Sequence, residues 1–332
     1  MILIDARAAA RPELGGVERW ARETAARLPA LYPGRYAAAS PPRVLAHRAG
    51  HAWEQAVLPA LAARRGARLI LCPANLAPVA SRRTAVVLHD AAPLREPRWY
   101  SAAYVAYQRV VLPLIARRAR LVVTVSTFSR DELRELLGVD AVVVPGGVDA
   151  RFHAAADPEP VRAALGLRRP YVLTVASRTA RKNLAVLHVA ARRLSEHGID
   201  LVAAGGDRPQ FRAEADRGAL RPLGHVPDEH LPGLYAGAAA FVLPSLYEGF
   251  GLTCLEAMAC GTPVVAADRA ALPETCGGAA LLVDPTDPVA VADAVERAVA
   301  APAALAAAGL EQAARFSWDR TMAGLDDALR SV

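Results

Sequence analysis

Residues 240–266 read AFVLPSLYEGFGLTCLEAMACGTPVVA. Ala240–Leu243 is a short apolar run of strand type, and Pro244-Ser245 closes it. The loop Tyr247-Glu248-Gly249-Phe250-Gly251 leads into a helical stretch through Glu256, which Gly261 and Pro263 terminate. A second buried-type strand starts at Val264. Strand, glycine loop, helix and strand within 27 residues is a βα unit of a parallel sheet.

The same alternation runs through all 332 residues. Strands are expected near Ile2–Ile4, Leu69–Cys72, Ala85–Leu88, Leu121–Val125 and Ala141–Val144 in the first half. In the second half they fall near Tyr171–Ala176, Leu201–Ala204, Ala240–Leu243, Val264–Ala266 and Ala280–Val283. Helices fill the gaps, among them Arg19–Leu28, Tyr104–Arg117, Arg130–Leu137, Leu184–Glu196 and Pro288–Ala300. The pattern breaks at Pro145-Gly146-Gly147 and at the linker-like run Ala154–Pro160, then restarts at Tyr171. The expected class is α/β with two doubly wound domains, 1–165 and 166–312. Residues 313–332 form a terminal helix returning to the first domain. Ligands of such sheets sit at the carboxyl ends of the strands, so the default site is a cleft between the two sheets.

Composition narrows the class. An apolar fraction of 53% supports two cores, and no stretch of 18 apolar residues offers a membrane span. The start, Met1-Ile2-Leu3-Ile4-Asp5, reads as a first strand rather than a signal peptide. Cys72, Cys254, Cys260 and Cys276 form no C-x-x-C pair and complete no zinc set, which suits reduced thiols in a cytoplasmic protein. Residues 1–150 hold 21 Arg against 12 acidic residues, a balance of +9; residues 151–332 have a balance of −3. The basic half would suit an anionic partner: phospholipid headgroups, a lipid-phosphate acceptor or nucleic acid. It equally suits an Arg-rich solvated surface, since 38 Arg against one Lys and two Asn is the mark of a GC-rich genome. Aromatic residues interleaved with basic ones are sparse, which counts against nucleic acid. No amphipathic helix with large aromatic anchors is evident, so any membrane attachment at the inner face is expected to be loose.

The loop-to-helix junction at Gly249–Leu252 has the chemistry of a phosphate site. Glycines let the backbone approach a ligand, and the free N–H groups of a helix start favour an anion. Glu256, one turn inside the helix, can take both hydroxyls of a ribose; Glu248, ahead of it, can reach a sugar hydroxyl. The same two residues could also be a loop cap and a surface charge. A second segment, Ala176-Ser177-Arg178-Thr179-Ala180-Arg181-Lys182-Asn183, follows the strand Tyr171–Val175 and holds the only lysine of the chain. Cations at that strand end would offset a diphosphate leaving group. His89-Asp90 follows Ala85–Leu88 at another strand end. Leu14-Gly15-Gly16-Val17 precedes the first helix; no Gly-x-Gly-x-x-Gly occurs, which argues against a nicotinamide domain.

Together these segments resemble glycosyltransferase family four, retaining enzymes of the GT-B fold. PSLYEGFGL, LEAMACGTPVVA and LPETCGGAALLVDP (Leu272–Pro285) occur in family order. The resemblance implies that Glu256 holds the nucleotide ribose and Glu248 the sugar. It gives the distal phosphate to backbone N–H groups of Gly249, Phe250, Gly251 and Leu252, with Lys182 and Arg178 as cations. The departures are Thr253 and Cys254, where relatives often carry Pro and Val, and Ala176-Ser177 in place of a Gly pair. That last shift leaves open whether Arg178 or Arg181 is the second cation; Arg178 is favoured. His89 corresponds to a histidine that approaches the transferred sugar. Gly15-Gly16 matches the loop that closes over the diphosphate, and the backbone at Val226, in Gly224-His225-Val226-Pro227, matches the segment that meets the base. Residues 93–100 resemble the mannosyltransferase-type branch.

The expected activity is transfer of a hexose, GDP-mannose being the favoured donor, to a hydroxyl acceptor that is a glycan, lipid-linked or a small molecule. No Asp-x-Asp motif exists to hold a divalent cation, so neither metal nor cofactor is expected. The alternatives are a GT-B epimerase or hydrolase of nucleotide sugars, and a silent sugar-nucleotide-binding protein.

Overall fold

The computed structural model describes residues 1–11, 15–42, 50–206 and 220–332. It contains two six-stranded sheets, parallel throughout, each in its own compact unit. The first unit comprises residues 1–95, 102–147 and 318–332; the second comprises 96–101 and 148–317.

In the first unit the strands are β1 (Ile2–Asp5), β2 (Tyr36–Ala39), β3 (Leu69–Cys72), β4 (Thr84–Val87), β5 (Leu121–Thr124) and β6 (Val142–Val143). Their spatial order is β2-β1-β3-β4-β5-β6. β1, β3, β4 and β5 are buried along their whole length, as continuous apolar runs in a parallel sheet must be. On one face, Leu58, Leu112, Ile115, Leu133 and Leu137 bring three helical segments onto Leu3, Ile70, Val86 and Val122. The helix Gly16–Leu31 meets the carboxyl-terminal helix Trp318–Arg330 through Trp20 and Trp318, whose rings cross nearly at right angles 6.2 Å apart. Arg35 and the Tyr36 hydroxyl both donate to Asp326, and Arg68 donates to the carbonyls of Leu329 and Val332.

The second unit holds β7 (Tyr171–Val175), β8 (Asp200–Ala204), β9 (Arg221–Gly224), β10 (Ala240–Leu243), β11 (Val264–Ala267) and β12 (Ala280–Val283). The order is β12-β11-β10-β7-β8-β9, so the chain winds outward in both directions from the β7/β10 pair. One face packs Leu255, Met258 and Leu234 against Phe241 and Leu243; the other packs Leu187, Ala190, Val291 and Val295 against Val172, Val242 and Val265. The sheet is therefore covered on both sides.

The units divide at 147/148, ahead of the expected 165/166. Phe152 and Val161 belong to the second core, and a Cβ on Gly233 would stand 2.4 Å from the carbonyl oxygen of Asp157, just ahead of the Glu159–Leu165 helix, and 3.3 Å from Val161 within it. β2 and β9 are strands the apolar pattern does not reveal.

Candidate active site

A ligand of a doubly wound sheet sits where the strand order reverses, at the carboxyl ends. In the second unit that place is the β7/β10 pair. The loop after β7 carries residues 176–183, and the loop after β10 carries residues 244–251. Hydrogen bonds tie them together: Leu246 N–H donates to the Arg181 carbonyl at 2.9 Å, and the Asn183 side-chain amide donates to the Pro244 carbonyl at 3.2 Å and, beyond β12, to the Pro285 carbonyl at 2.7 Å. Asn183 adopts a left-handed φ of 54°, which turns the chain from the Ala180–Lys182 turn into the next helical segment.

That turn aims Lys182 at Glu248. The ammonium donates to Oε1 at 2.5 Å, and both side chains are nearly enclosed. Arg181 lies beside them, its Nη1 3.7 Å from the other carboxylate oxygen and 3.1 Å from the Tyr247 carbonyl oxygen to which it donates. Burial pushes the Lys182 amine below the usual lysine range, although Glu248 works to keep its proton. Burial acts to raise the Glu248 carboxyl, but the charges of Lys182 and Arg181 and the hydrogen bond from Lys182 outweigh it and hold the group below the usual carboxylate range. Charge is thus stored here as an almost dry ion pair. Trp99 packs edge-on against Tyr247, with ring centres 6.3 Å apart, next to this pair.

Behind Glu248 the chain enters the helix Leu252–Ala259. Its N-cap, Gly251, has φ 100°, and no side chain caps it. A Cβ at this position would fall 2.6 Å from Leu272 Cδ2. The glycine therefore serves both the turn and the close approach of Leu272. Thr275 Oγ1 donates to the Phe250 carbonyl at 2.5 Å, and the Gln312 amide donates to Thr275 in turn. Gly249 through Leu252 are thereby fixed, with a helix N-terminus behind them that favours negative charge. Glu256 is buried one turn further on, and Tyr235 donates its hydroxyl to Oε2 at 3.0 Å. Val226 follows β9 and Gly224, whose carbonyl accepts the Gly205 N–H at 2.8 Å; this places it at the same carboxyl edge, on the β8/β9 side.

Glu248, Gly249, Phe250, Gly251, Leu252, Glu256 and Lys182 thus share one edge of one sheet. Of the two arginines it is Arg181 that meets Glu248; Arg178 is exposed, at the start of the same loop. The sequence sets Arg181 behind Arg178 as the second cation; Tyr235 and Thr275 are contributors the sequence alone does not point to. An Arg beside a Lys was a visible signal; the tyrosine and threonine gave none.

On the first unit His89 follows β4 and is buried. Its backbone N–H donates to the Asn75 side chain at 2.7 Å, and Ser129 donates to its carbonyl at 3.0 Å. Burial lowers its basicity, against the opposing pull of the Pro73 carbonyl, Asp90 and Glu18. Nε2 lies 2.9 Å from the Pro73 carbonyl oxygen, which can only accept. The neutral ring therefore carries its proton on Nε2 and leaves Nδ1 as the acceptor. Trp20 braces the ring edge-on at 5.7 Å.

Gly15 and Gly16 open the Gly16–Leu31 helix at the carboxyl edge of β1; Leu14, ahead of them, lies outside the described residues. Glu18 accepts the Gly15 N–H at 3.1 Å, and space in front of Gly16 is open. Nearby is a group not read from the sequence. Glu54, fully buried, accepts from Arg7 at 2.7 Å, and Asp5 accepts the Arg7 backbone N–H at 2.9 Å.

Residues 169–301 match the family model described as glycosyl transferases group 1. The chain is 33% identical over 261 residues to O-antigen chain mannosyltransferase B of Escherichia coli, covering 71% of this chain and 67% of that protein. Against two further curated relatives the match spans 50% and 55% of their length. Among solved structures, sucrose-phosphate synthase from Thermosynechococcus elongatus superposes with a TM-score of 0.78 at 22% identity, over 99% of this chain and 98% of that one. Anabaena HepE in complex with UDP and glucose does so with a TM-score of 0.75 at 19% identity, over 100% and 99%. The architecture is the GT-B fold. The chain belongs to the group 1 glycosyl transferase family.

Proposed function

We propose that this protein transfers a hexose from a nucleotide-diphosphate sugar to a hydroxyl acceptor, with retention of anomeric configuration and without a metal ion. The observation that carries the reading is the Lys182–Glu248 pair at the β7/β10 reversal, ahead of the uncapped Leu252–Ala259 helix and Glu256. Glu256, oriented by Tyr235, takes the ribose hydroxyls. The Gly249–Leu252 backbone takes the distal phosphate. An arriving diphosphate competes for Lys182, and the released Glu248 carboxylate becomes free to accept from sugar hydroxyls. Arg178, exposed at the start of the same loop, is favoured as the second phosphate cation, with Arg181 the alternative. The backbone at Val226 meets the base, and Gly15-Gly16 serves the diphosphate.

As the glycosidic bond breaks, charge grows on the distal phosphate, where Lys182 and the helix terminus act most strongly. The acceptor hydroxyl attacks from the face the leaving group vacates, and its proton passes to the departing phosphate oxygen. His89 offers Nδ1 to a substrate hydroxyl. The absence of Asp-x-Asp supports a metal-free mechanism, because these groups do the work of a cation. GDP-mannose is the favoured donor, supported by the likeness to an O-antigen mannosyltransferase; the UDP-and-glucose complex of a structural neighbour makes UDP-glucose the next choice.

The test is a panel of GDP-, UDP- and dTDP-hexoses, scored by thermal shift and by nucleotide release with and without candidate glycan and lipid-linked acceptors. Acceptor-dependent release supports the reading. Release at full rate without acceptor would point to a hydrolase or epimerase, and binding with no turnover to a silent binder.

A further inference from the structure

Three aromatic rings of the first unit form a column of which the proposed function uses only the last member. Trp318, Trp20 and His89 are 1%, 3% and 7% exposed. Trp318 meets Trp20 with ring centres 6.2 Å apart, and Trp20 meets His89 at 5.7 Å, each pair crossing close to a right angle. The indole N–H groups of Trp20 and Trp318 are buried and have no hydrogen-bond partner among the described residues. The column is therefore held by ring packing, in an interior dense enough that a displaced neighbour is felt.

Each ring comes from a different element. His89 follows β4, Trp20 lies one turn inside the Gly16–Leu31 helix, and Trp318 opens the carboxyl-terminal helix. Trp318 is also the first residue of the chain's return to the first unit. Just ahead of it the Phe316 carbonyl accepts the Val148 N–H at 3.1 Å, and just after it Thr321 donates to the Pro145 carbonyl at 2.8 Å. Trp318 is thus flanked by a tie on either side. At the other end of the column the Pro73 carbonyl oxygen lies 2.9 Å from His89 Nε2. That bond fixes one nitrogen and leaves the ring free to tilt about it; the edge-on contact with Trp20 fixes the plane.

We propose that Trp20 and Trp318 are positioning residues for His89, setting the plane of the imidazole and hence the direction in which Nδ1 meets a substrate hydroxyl. The inference rests on the proposed use of Nδ1. A hydrogen bond weakens steeply as it leaves its preferred angle, and a misplacement of about 1 Å can cost roughly 100-fold in rate. Trp20 touches the ring and Trp318 touches Trp20, so the effect of removing each should fall in that order. Lys182, Glu248 and Glu256 belong to the second unit, so affinity for free nucleotide reports folding separately from the state of the column.

The experiment is acceptor-dependent nucleotide release by Trp20→Leu, Trp20→Phe and Trp318→Leu, each alone and combined with His89→Gln. Nucleotide titration and magnetic resonance spectra of nitrogen-labelled histidine accompany it, all on the full chain. Trp20→Leu should lose roughly 10- to 100-fold in kcat with little change in the donor KM, and Trp318→Leu should lose less. Trp20→Phe, which keeps a ring edge, should recover most of the loss. In the His89→Gln background the same substitutions should cost little further, since they act through the ring. The His89 signal, assigned by its absence from His89→Gln, should show one tautomer in wild type, protonated at Nε2, and exchange between tautomers in Trp20→Leu. Unchanged nucleotide affinity shows that a variant is folded; if Trp20→Leu fails to fold, the same cycle is run on Trp318→Leu. Equal losses with and without His89→Gln would overturn the proposal, as would a ring signal identical in wild type and the tryptophan variants. A wild type without acceptor-dependent turnover would instead defeat the transfer reading, and the ring signal would still decide whether the column holds His89.

Discussion

Lys182 and Glu248, 66 residues apart in sequence, meet as a nearly buried ion pair with the ammonium 2.5 Å from the carboxylate. Removing one partner of such a pair leaves the other charge enclosed and uncompensated, at a cost of about 3–5 kcal/mol. Lys182→Met should therefore destabilise the second unit by an amount near the lower end, because Arg181 stays close to Glu248. Lys182→Met/Glu248→Leu should be more stable than Lys182→Met alone. Urea unfolding of the three proteins measures this; strictly additive losses would mean that the pair is not coupled.

The same pairing separates binding from transfer. Glu248→Gln removes the counter-charge of Lys182, which on the proposed function competes with the donor diphosphate. Free nucleoside diphosphate should bind this variant at least as tightly as wild type, while turnover falls. Calorimetric titration with nucleotide alone checks it, and a loss of nucleotide affinity comparable to that of Glu256→Ala would defeat the division of roles.

Tyr235 positions Glu256 through one hydrogen bond. A neutral donor to a carboxylate is worth about 1.5–3 kcal/mol at most, and the lower half of that range is expected where the acceptor survives. Tyr235→Phe should weaken nucleotide binding by roughly 10- to 40-fold. Affinity unchanged within error would show that Glu256 does not depend on Tyr235.

Gly251 holds φ 100°, and a Cβ there would collide with Leu272. Gly251→Ala should cost about 1–3 kcal/mol in backbone strain and displace the helix start from the phosphate. Lower thermal stability together with weaker diphosphate binding is the expected outcome; a variant that melts and binds like wild type would remove the glycine from the site.

Glu54 brings pH into the first unit. Burial pushes its carboxyl up to about 7, Arg7 pulls it down, and Asp5 pushes it up again. The folded state therefore binds more protons than the unfolded chain between the ordinary 4.5 and about 7. Its contribution to stability falls as pH rises through that window. The melting temperature of wild type minus that of Glu54→Gln should decrease from pH 5 to pH 8. A difference flat in pH would show that Glu54 titrates normally.

Much of this was legible in the sequence because buried parallel strands are unbroken apolar runs. Residues 69–72, 171–175 and 264–267 carry the signal without help from neighbours. β2 and β9 did not, for a reason both share. They are sheet edges: Tyr-Ala-Ala-Ala has little apolar contrast, and Arg-Pro-Leu-Gly is largely exposed, with a proline tolerated only where a strand lacks a second neighbour. The loop glycines, Glu248, Glu256 and Lys182 could be picked out because each residue type has a chemical use at a strand end. Their pairing could not, since it depends on β7 and β10 becoming neighbours across 64 intervening residues.

The most direct test of the donor site is titration of GDP-mannose and of the other nucleotide hexoses into wild type and Glu256→Ala, with a chelator in excess throughout. At least one nucleotide sugar should bind wild type undiminished by the chelator, and Glu256→Ala should bind it roughly 10- to 100-fold more weakly, the loss of a charge-assisted contact to ribose. Binding that vanishes on chelation and returns with magnesium or manganese, or equal affinity of the two proteins for every donor, would contradict the account.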